Sequence, residues 1–281
     1  MITYKSLGYV GKLGNQMFQY ATLVGIAYKN GYEIGIPHGN VVWASNGSYN
    51  TRLYLLDLFN ISAKDSTGYE TKYYITDDSS EFKPKVLDLP DDCNLFGYFQ
   101  TEKYFKHCRD RVLEEFTFKN QTLVNSCKNF LNQVSSNPKV AIHVRRGDYI
   151  GMQEIHSLCP AEYYDNGLNY IQNQLNTKID VVVFSDDIAW CKENLMSLGQ
   201  KYNLIFDQET QSEVNYHEHQ EQSLIMMSLC DHFVIANSSF SWWGAWLSTN
   251  PNKIVVAPSR WYGHKKFEEY KDIYCDGWVL I

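Results

Sequence analysis

A pattern repeated through the C-terminal half restricts this chain's fold more than anything else in it. A short run of small or β-branched apolar residues stops at a group of polar ones, a helical period follows, and the next run begins. Val140-Ala141-Ile142-His143-Val144 gives way to Arg145-Arg146-Gly147-Asp148-Tyr149. Val181-Val182-Val183-Phe184 gives way to Ser185-Asp186-Asp187, and Phe233-Val234-Ile235-Ala236 to Asn237-Ser238-Ser239-Phe240. Helical periods over 160–174, 188–198 and 221–230 lie between these runs, with shorter strand signals at 204–206 and 253–257. Apolar strands separated by crossover helices predict a parallel, Rossmann-like α/β sheet. Ligands of such sheets gather at the carboxyl ends of the strands, so three polar strand ends predict one binding edge.

Each strand end admits two readings. Arg145 and Arg146 fit an anionic ligand, most simply a phosphate or diphosphate, or else a solvated turn closed by its own ion pairs. If the strand persists, Arg146 points away from Arg145, and an ion pair with Asp148 or another carboxylate is as open as donor contact. Asp186 and Asp187 can accept from a base or a ribose hydroxyl, or cap the following helix. Ser238 and Ser239, with N–H groups at a helix start, can hold phosphate oxygens or serve as caps.

The N-terminal half opens with a strand over 2–7, then Gly8, Gly11 and Gly14, then a helix with Met17, Tyr20, Ala21, Val24, Ala27 and Tyr28 on one face. The glycine loop with Asn15-Gln16 suits a phosphate or a tight turn without ligand, and it is neither a Walker loop nor a full dinucleotide fingerprint. A second strand is expected over 32–37, loops with short elements over 38–90, a strand or turn over 95–100, and helices over 102–118 and 122–134. Ser135-Ser136-Asn137-Pro138 reads as a linker, which places an N-terminal domain at 1–137 and a C-terminal one at 138–281, with the final segment free to pack back on the first.

The formal charge of −7, without a basic run, argues against a nucleic-acid partner. Twenty-one Tyr, fourteen Phe and seven Trp suit sugar-binding surfaces, although most of these rings must be core or surface filler. The seven cysteines are scattered singly with no Cys-x-x-Cys, so neither a disulfide framework nor a zinc site is expected and a cytoplasmic location is. His217-Glu218-His219 invites a metal reading but equally fits a solvated loop. No signal-peptide core opens the sequence and no apolar run reaches ~18 residues, so no transmembrane segment is expected and any membrane contact would be peripheral.

Five blocks in order carry a resemblance. They are residues 11–21 (Gly-Lys-Leu-Gly-Asn-Gln-Met-Phe-Gln-Tyr-Ala), 97–105 (Gly-Tyr-Phe-Gln-Thr-Glu-Lys-Tyr-Phe), His143 to Tyr149, Phe184 to Asp187, and Ala236 to Leu247. Together they resemble the galactoside α-1,2-fucosyltransferase family, in its bacterial form. The resemblance implies a GT-B-type enzyme with two Rossmann-like domains facing a cleft, the N-terminal one on the acceptor side and the C-terminal one binding GDP-fucose. It implies inverting transfer of L-fucose to the 2-hydroxyl of a terminal galactose in an oligosaccharide or lipid-linked glycan, with no metal and no cofactor beyond the donor.

Residue by residue, it implies that Arg145 meets the β-phosphate, helped by Ser238, Ser239 and Phe240 at a helix start. His143 matches a histidine near guanine, though it also fits a core histidine. Asn15, following Gly14, matches an asparagine near the anomeric carbon, and Asp186 belongs to the donor side. The general base is not legible. Gln153 stands where related α-1,6-enzymes carry a glutamate, and Glu154 and Asp148 rank ahead of His156. Ser223 stands where related enzymes have an aspartate proposed to hold guanine. Acceptor contacts are not legible, and Trp242 and Trp243 fit packing better than sugar stacking. A GDP-sugar transferase of another linkage and a non-catalytic carbohydrate-binding protein are the alternatives.

Overall fold

The structure is a computed structural model that describes residues 1–9, 11–38, 53–77, 80–207, 216–263 and 265–281, with backbone alone for 216–218. The chain divides into two compact units, Met1–Lys119 with Glu268–Cys275, and Asn120–Phe267 with Asp276–Ile281.

The first unit holds a five-stranded parallel sheet in the order β3-β2-β1-β5-β4, built from β1 (Ile2–Thr3), β2 (Ile34–Ile36), β3 (Lys64–Asp65), β4 (Tyr73–Asp77) and β5 (Cys93–Gly97). Its helices are α1 (Leu13–Asn30), α2 (Tyr54–Leu58) and α3 (Arg109–Glu115). Helix α1 is sunk into the unit, with Met17, Phe18, Tyr20, Ala21, Leu23 and Val24 buried, whereas Tyr28, expected on the buried face, is 61% exposed. Gly25 permits that depth, because a Cβ there would stand 2.0 Å from the Tyr104 carbonyl oxygen. The single helix expected over 102–118 is instead two one-turn 3-10 segments followed by the short α3. Phe105, at φ −141° and ψ 0°, interrupts the helical path between them.

The second unit holds a six-stranded parallel sheet in the order β11-β10-β9-β6-β7-β8. Its strands are β6 (Lys139–Val144), β7 (Asp180–Ser185), β8 (Asn203–Phe206), β9 (His232–Val234), β10 (Val255–Ala257) and β11 (Val279–Leu280). Its helices are α4 (Gln121–Val134), α5 (Ala161–Leu175), α6 (Ile188–Asn194), α7 (Met196–Gly199), α8 (Tyr216–Ser228) and α9 (Ser239–Leu247). Val140, Ile142, Val144, Val181 and Val183 pack with Tyr164, Leu168 and Ile171 of α5, and with Leu195 and Leu198. Alternate residues Ala141, Val182 and Phe184 are buried as well, which explains why these strands read as continuous apolar runs.

The division between units falls at 119/120, not at 137/138. Helix α4 packs against α8 and belongs with the second unit. The Ser135–Pro138 stretch is an anchored turn: the Ser135 hydroxyl and the Asn137 amide donate to the Asp180 carboxylate, and the Asp180 N–H donates to Pro138 O at 3.0 Å. Close to the C-terminus, residues 268–275 belong with the first unit, while β11 returns to the second sheet.

Candidate active site

Parallel register places the polar strand ends side by side. Val144 is paired with Ser185, so Arg145 and Asp186 emerge together from β6 and β7. Arg145 Nη1 lies 2.8 Å from Asp186 Oδ2, and Nη2 lies 2.5 Å from Asp148 Oδ1. The other Asp186 oxygen accepts the Arg146 backbone N–H at 2.9 Å. Gly147 is part of this fit, since a Cβ there would stand 2.6 Å from Asp186 Oδ2. Both Asp186 oxygens therefore serve the arginine turn itself.

Arg146 does turn away from Arg145. Its Nε donates to Asp187 Oδ2 at 3.1 Å, and its guanidinium lies over the Trp190 ring at 4.2 Å. Asp187 Oδ1 accepts the Trp190 N–H at 3.1 Å, so this aspartate has the capping role for α6 and clasps Arg146 as well.

His143, on β6, is buried, and its ring packs 5.7 Å from that of Phe240 in the first turn of α9. Burial, reinforced by the nearby Arg145 charge and opposed by Asp186, lowers the imidazole pKa to about 3. The ring is neutral at physiological pH, and its buried Nδ1 has no hydrogen-bond partner. Ser238 is the N-cap of α9 and makes no side-chain bond to the helix, and the His143–Phe240 contact brings the first turn of α9 to the end of β6. Trp242 and Trp243 are wholly buried and pack edge to face at 5.0 Å, as structural residues do.

Beyond Arg145 the chain forms a turn and loop that sequence reasoning read only in part. The Arg145 guanidinium lies 5.4 Å from the centre of the Tyr149 ring, and that ring stacks on His156 at 4.3 Å and 10°. The Tyr149 hydroxyl donates to the backbone oxygen of Asn237 at 3.0 Å. His156 is thus a stacking partner of Tyr149, and Glu154 is an exposed residue of the same loop. Asn237 carried no expected role of its own, although it opens the Asn-Ser-Ser block.

In the first unit, Asn15 lies in the first turn of α1, where its Oδ1 accepts from Gln100 Nε2 at 2.7 Å. Gly11, at φ +86°, takes a left-handed conformation, and a Cβ there would stand 2.5 Å from Asn15 Nδ2. Gly14 is buried within the same turn. Phe99, at φ +51°, carries unusual backbone strain for a bulky residue and sits directly before Gln100. The Asn15–Gln100 amide pair thus joins the glycine loop to the 97–105 block, far apart in sequence.

Ser223 donates to the buried Asp207 carboxylate at the end of β8, and His219 Nε2 lies 3.9 Å from the same carboxylate. Burial raises the Asp207 carboxyl above its ordinary value. The side chains of His217 and Glu218, which suggested a metal reading, lie outside the described residues. Among the described residues no group of three or more His, Cys, Asp or Glu is arranged to hold a metal ion, and no helix is long and apolar enough to cross a membrane.

Across solved structures the fold is similar to that of POFUT1 in complex with GDP, with a TM-score of 0.54 at 13% identity, over 91% of this chain and 97% of that one. It is also similar to the α-1,6-fucosyltransferase NodZ soaked with GDP-fucose, with a TM-score of 0.51 at 9% identity, over 89% and 96% of the two chains. These likenesses agree with an α/β architecture of GT-B type carrying two parallel sheets. In sequence, the chain is 29% identical to an α-1,2-colitosyltransferase of Escherichia coli, over 96% of both proteins. It is 28% identical to the galactoside 2-α-L-fucosyltransferase SEC1 of Bos taurus, over 85% of this chain and 62% of that protein. The model of glycosyl transferase family 11 matches residues 6–281, and the chain belongs to that family.

Proposed function

We propose that this glycosyltransferase moves L-fucose from GDP-fucose to the 2-hydroxyl of a terminal galactose in a glycan, with inversion and without a metal ion. The observation that carries the reading is Arg145, a guanidinium held by Asp186 at the C-terminal edge of the parallel sheet, two residues after His143, whose ring meets the first turn of α9, in a family 11 chain. Departure of GDP develops negative charge on the β-phosphate, and a planar guanidinium can bind two of its oxygens at once. Asp148 is an ion-pair partner of the same guanidinium, and the diphosphate would take its place. Ser238, Ser239 and the N–H groups around Phe240 supply further donors to the phosphates.

His143, neutral and with an uncommitted Nδ1, is offered to the guanine side. In the single displacement the C1–O bond to the β-phosphate breaks as the acceptor O2 bonds to C1, and the acceptor proton passes to a base. Glu154 is the candidate for that base, because Asp148 is tied to Arg145 as its counter-ion. A cytoplasmic location belongs to the same proposal and is supported by seven free thiols.

Incubation with GDP-fucose and lactose in the presence of EDTA, followed by linkage analysis, tests the reading. An α-1,2-fucosylated product is expected, and loss of activity on chelation would remove the metal-independent mechanism. A second reading, transfer of colitose, which is L-fucose lacking the 3-hydroxyl, is favoured by the colitosyltransferase relative. Competition between GDP-fucose and GDP-colitose for one acceptor distinguishes the two.

A further inference from the structure

We propose that Asn237 is a positioning residue for Arg145, acting through Tyr149. Asn237 is buried to within 2% of complete enclosure, just beyond β9. Its Nδ2 donates twice, to Ser157 O at 2.9 Å and to Trp261 O at 2.8 Å, and its Oδ1 faces the Cys159 thiol at 3.9 Å. Two carbonyl partners can be met only by the NH2 end, so the amide orientation follows from the chemistry. Its backbone oxygen receives the Tyr149 hydroxyl. One residue therefore gathers three stretches that lie outside the sheet: the arginine turn, the loop through 156–159, and the segment at 261–263. The loop and that segment are joined again where Gly263 N donates to Ile155 O at 2.9 Å.

The consequence lies at the guanidinium. Arg145 leans on the Tyr149 ring, Tyr149 is stacked on His156, and the hydroxyl of Tyr149 and the main chain beside His156 are both fastened to Asn237. A guanidinium resting on a fixed ring, with Asp186 on one side, has few rotamers left, and its donors stay aimed when phosphate replaces Asp148. Alanine at 237 would remove the donor that the Ser157 and Trp261 carbonyls share and loosen the ring beneath Arg145, and aspartate would set a carboxylate against both carbonyls.

This inference rests on the reading of Arg145 as the diphosphate contact, and the experiment separates the two. GDP affinity is measured by calorimetry for the wild-type protein, Asn237→Ala, Arg145→Lys and the double variant, with kcat and KM for the active ones. Asn237→Ala is expected to weaken GDP about tenfold beside Arg145 but less than about threefold in the Arg145→Lys background, the non-additivity of two groups acting as a unit. It should lower kcat with little change in acceptor KM. If the effects in the two backgrounds differ by less than about threefold, the positioning role is overturned, since a merely structural residue would cost the same in both. If Arg145→Lys itself leaves GDP binding unchanged, the reading of Arg145 fails instead. Should Asn237→Ala not fold, Tyr149→Phe, which deletes only the hydroxyl that reaches Asn237, carries the same cycle with the same criterion.

Discussion

Arg145 and Asp186 leave neighbouring parallel strands at matched positions and meet through a 2.8 Å contact between Nη1 and Oδ2. Because the second oxygen of Asp186 is held by the backbone N–H of Arg146, the carboxylate is fixed and the guanidinium is aimed from a rigid support. The chemistry proposed for this protein depends on that aim as much as on the charge.

Arg145→Lys keeps the charge but loses the planar fork. Turnover at saturating GDP-fucose should fall by ~10²-fold or more, as when a transition-state charge donor is removed. Steady-state kinetics checks this, and near-normal turnover would take Arg145 out of catalysis.

Gly147→Ala tests the support itself. The new methyl would displace the Asp186 carboxylate, because its nearest neighbour would be Oδ2 at 2.6 Å. Turnover should drop by about tenfold, the effect expected when a charge-stabilising donor is mis-aimed rather than deleted. Thermal unfolding should change little, since Gly147 is a residue of an exposed turn; unaltered turnover would show that the clasp adapts.

Asp148→Asn should raise GDP affinity by about threefold, a modest gain because this competing carboxylate is half exposed and its ion pair is screened. Calorimetry measures the affinity. A hundredfold fall in kcat instead would make Asp148, rather than Glu154, the acceptor's base.

His143 gives the protein a predictable acid sensitivity. Its folded-state pKa of about 3 lies below the ordinary 6.5, so the unfolded chain binds the extra proton between these values and stability falls as pH drops through that window. Between pH 6 and pH 5 the wild-type protein should lose about 1 kcal/mol more than His143→Gln in urea titrations. Equal losses would mean that the folded chain accommodates the imidazolium.

Gly25→Ala concerns the other unit. Its Cβ would clash with the Tyr104 carbonyl at 2.0 Å, and backbone cannot swing aside as a side-chain tip can. The variant should be destabilised by ~2 kcal/mol or more in chemical denaturation; a stability equal to wild type would mean that α1 is not seated so deeply.

Much of the C-terminal unit was legible because its strands are buried on both faces, which makes them continuous apolar runs, and because their polar ends are abrupt. The strand ends that carry Arg145, Asp186 and Ser238 could be placed on one edge from that pattern, and the turn of Arg146 away from Arg145 follows from strand alternation. The unit boundary was not legible: Ser-Ser-Asn-Pro has the composition of a linker, but its side chains bind Asp180, a partner more than forty residues on. The N-terminal helix over 102–118 failed for a similar reason, since apolar spacing is unaffected by one residue, Phe105, leaving the helical path.

The order of residues along this chain determined the parallel α/β class, the chemistry of each strand end and membership of its family, because periodicity and side-chain type are local properties. Tertiary structure alone decided which of those groups touch: that Asp186 serves Arg145, that Asp187 serves Arg146, that His156 lies beneath Tyr149, and that Asn237 fastens three distant stretches. Those choices are made by strand register and loop closure, which join residues far apart in sequence and leave no periodic trace in it.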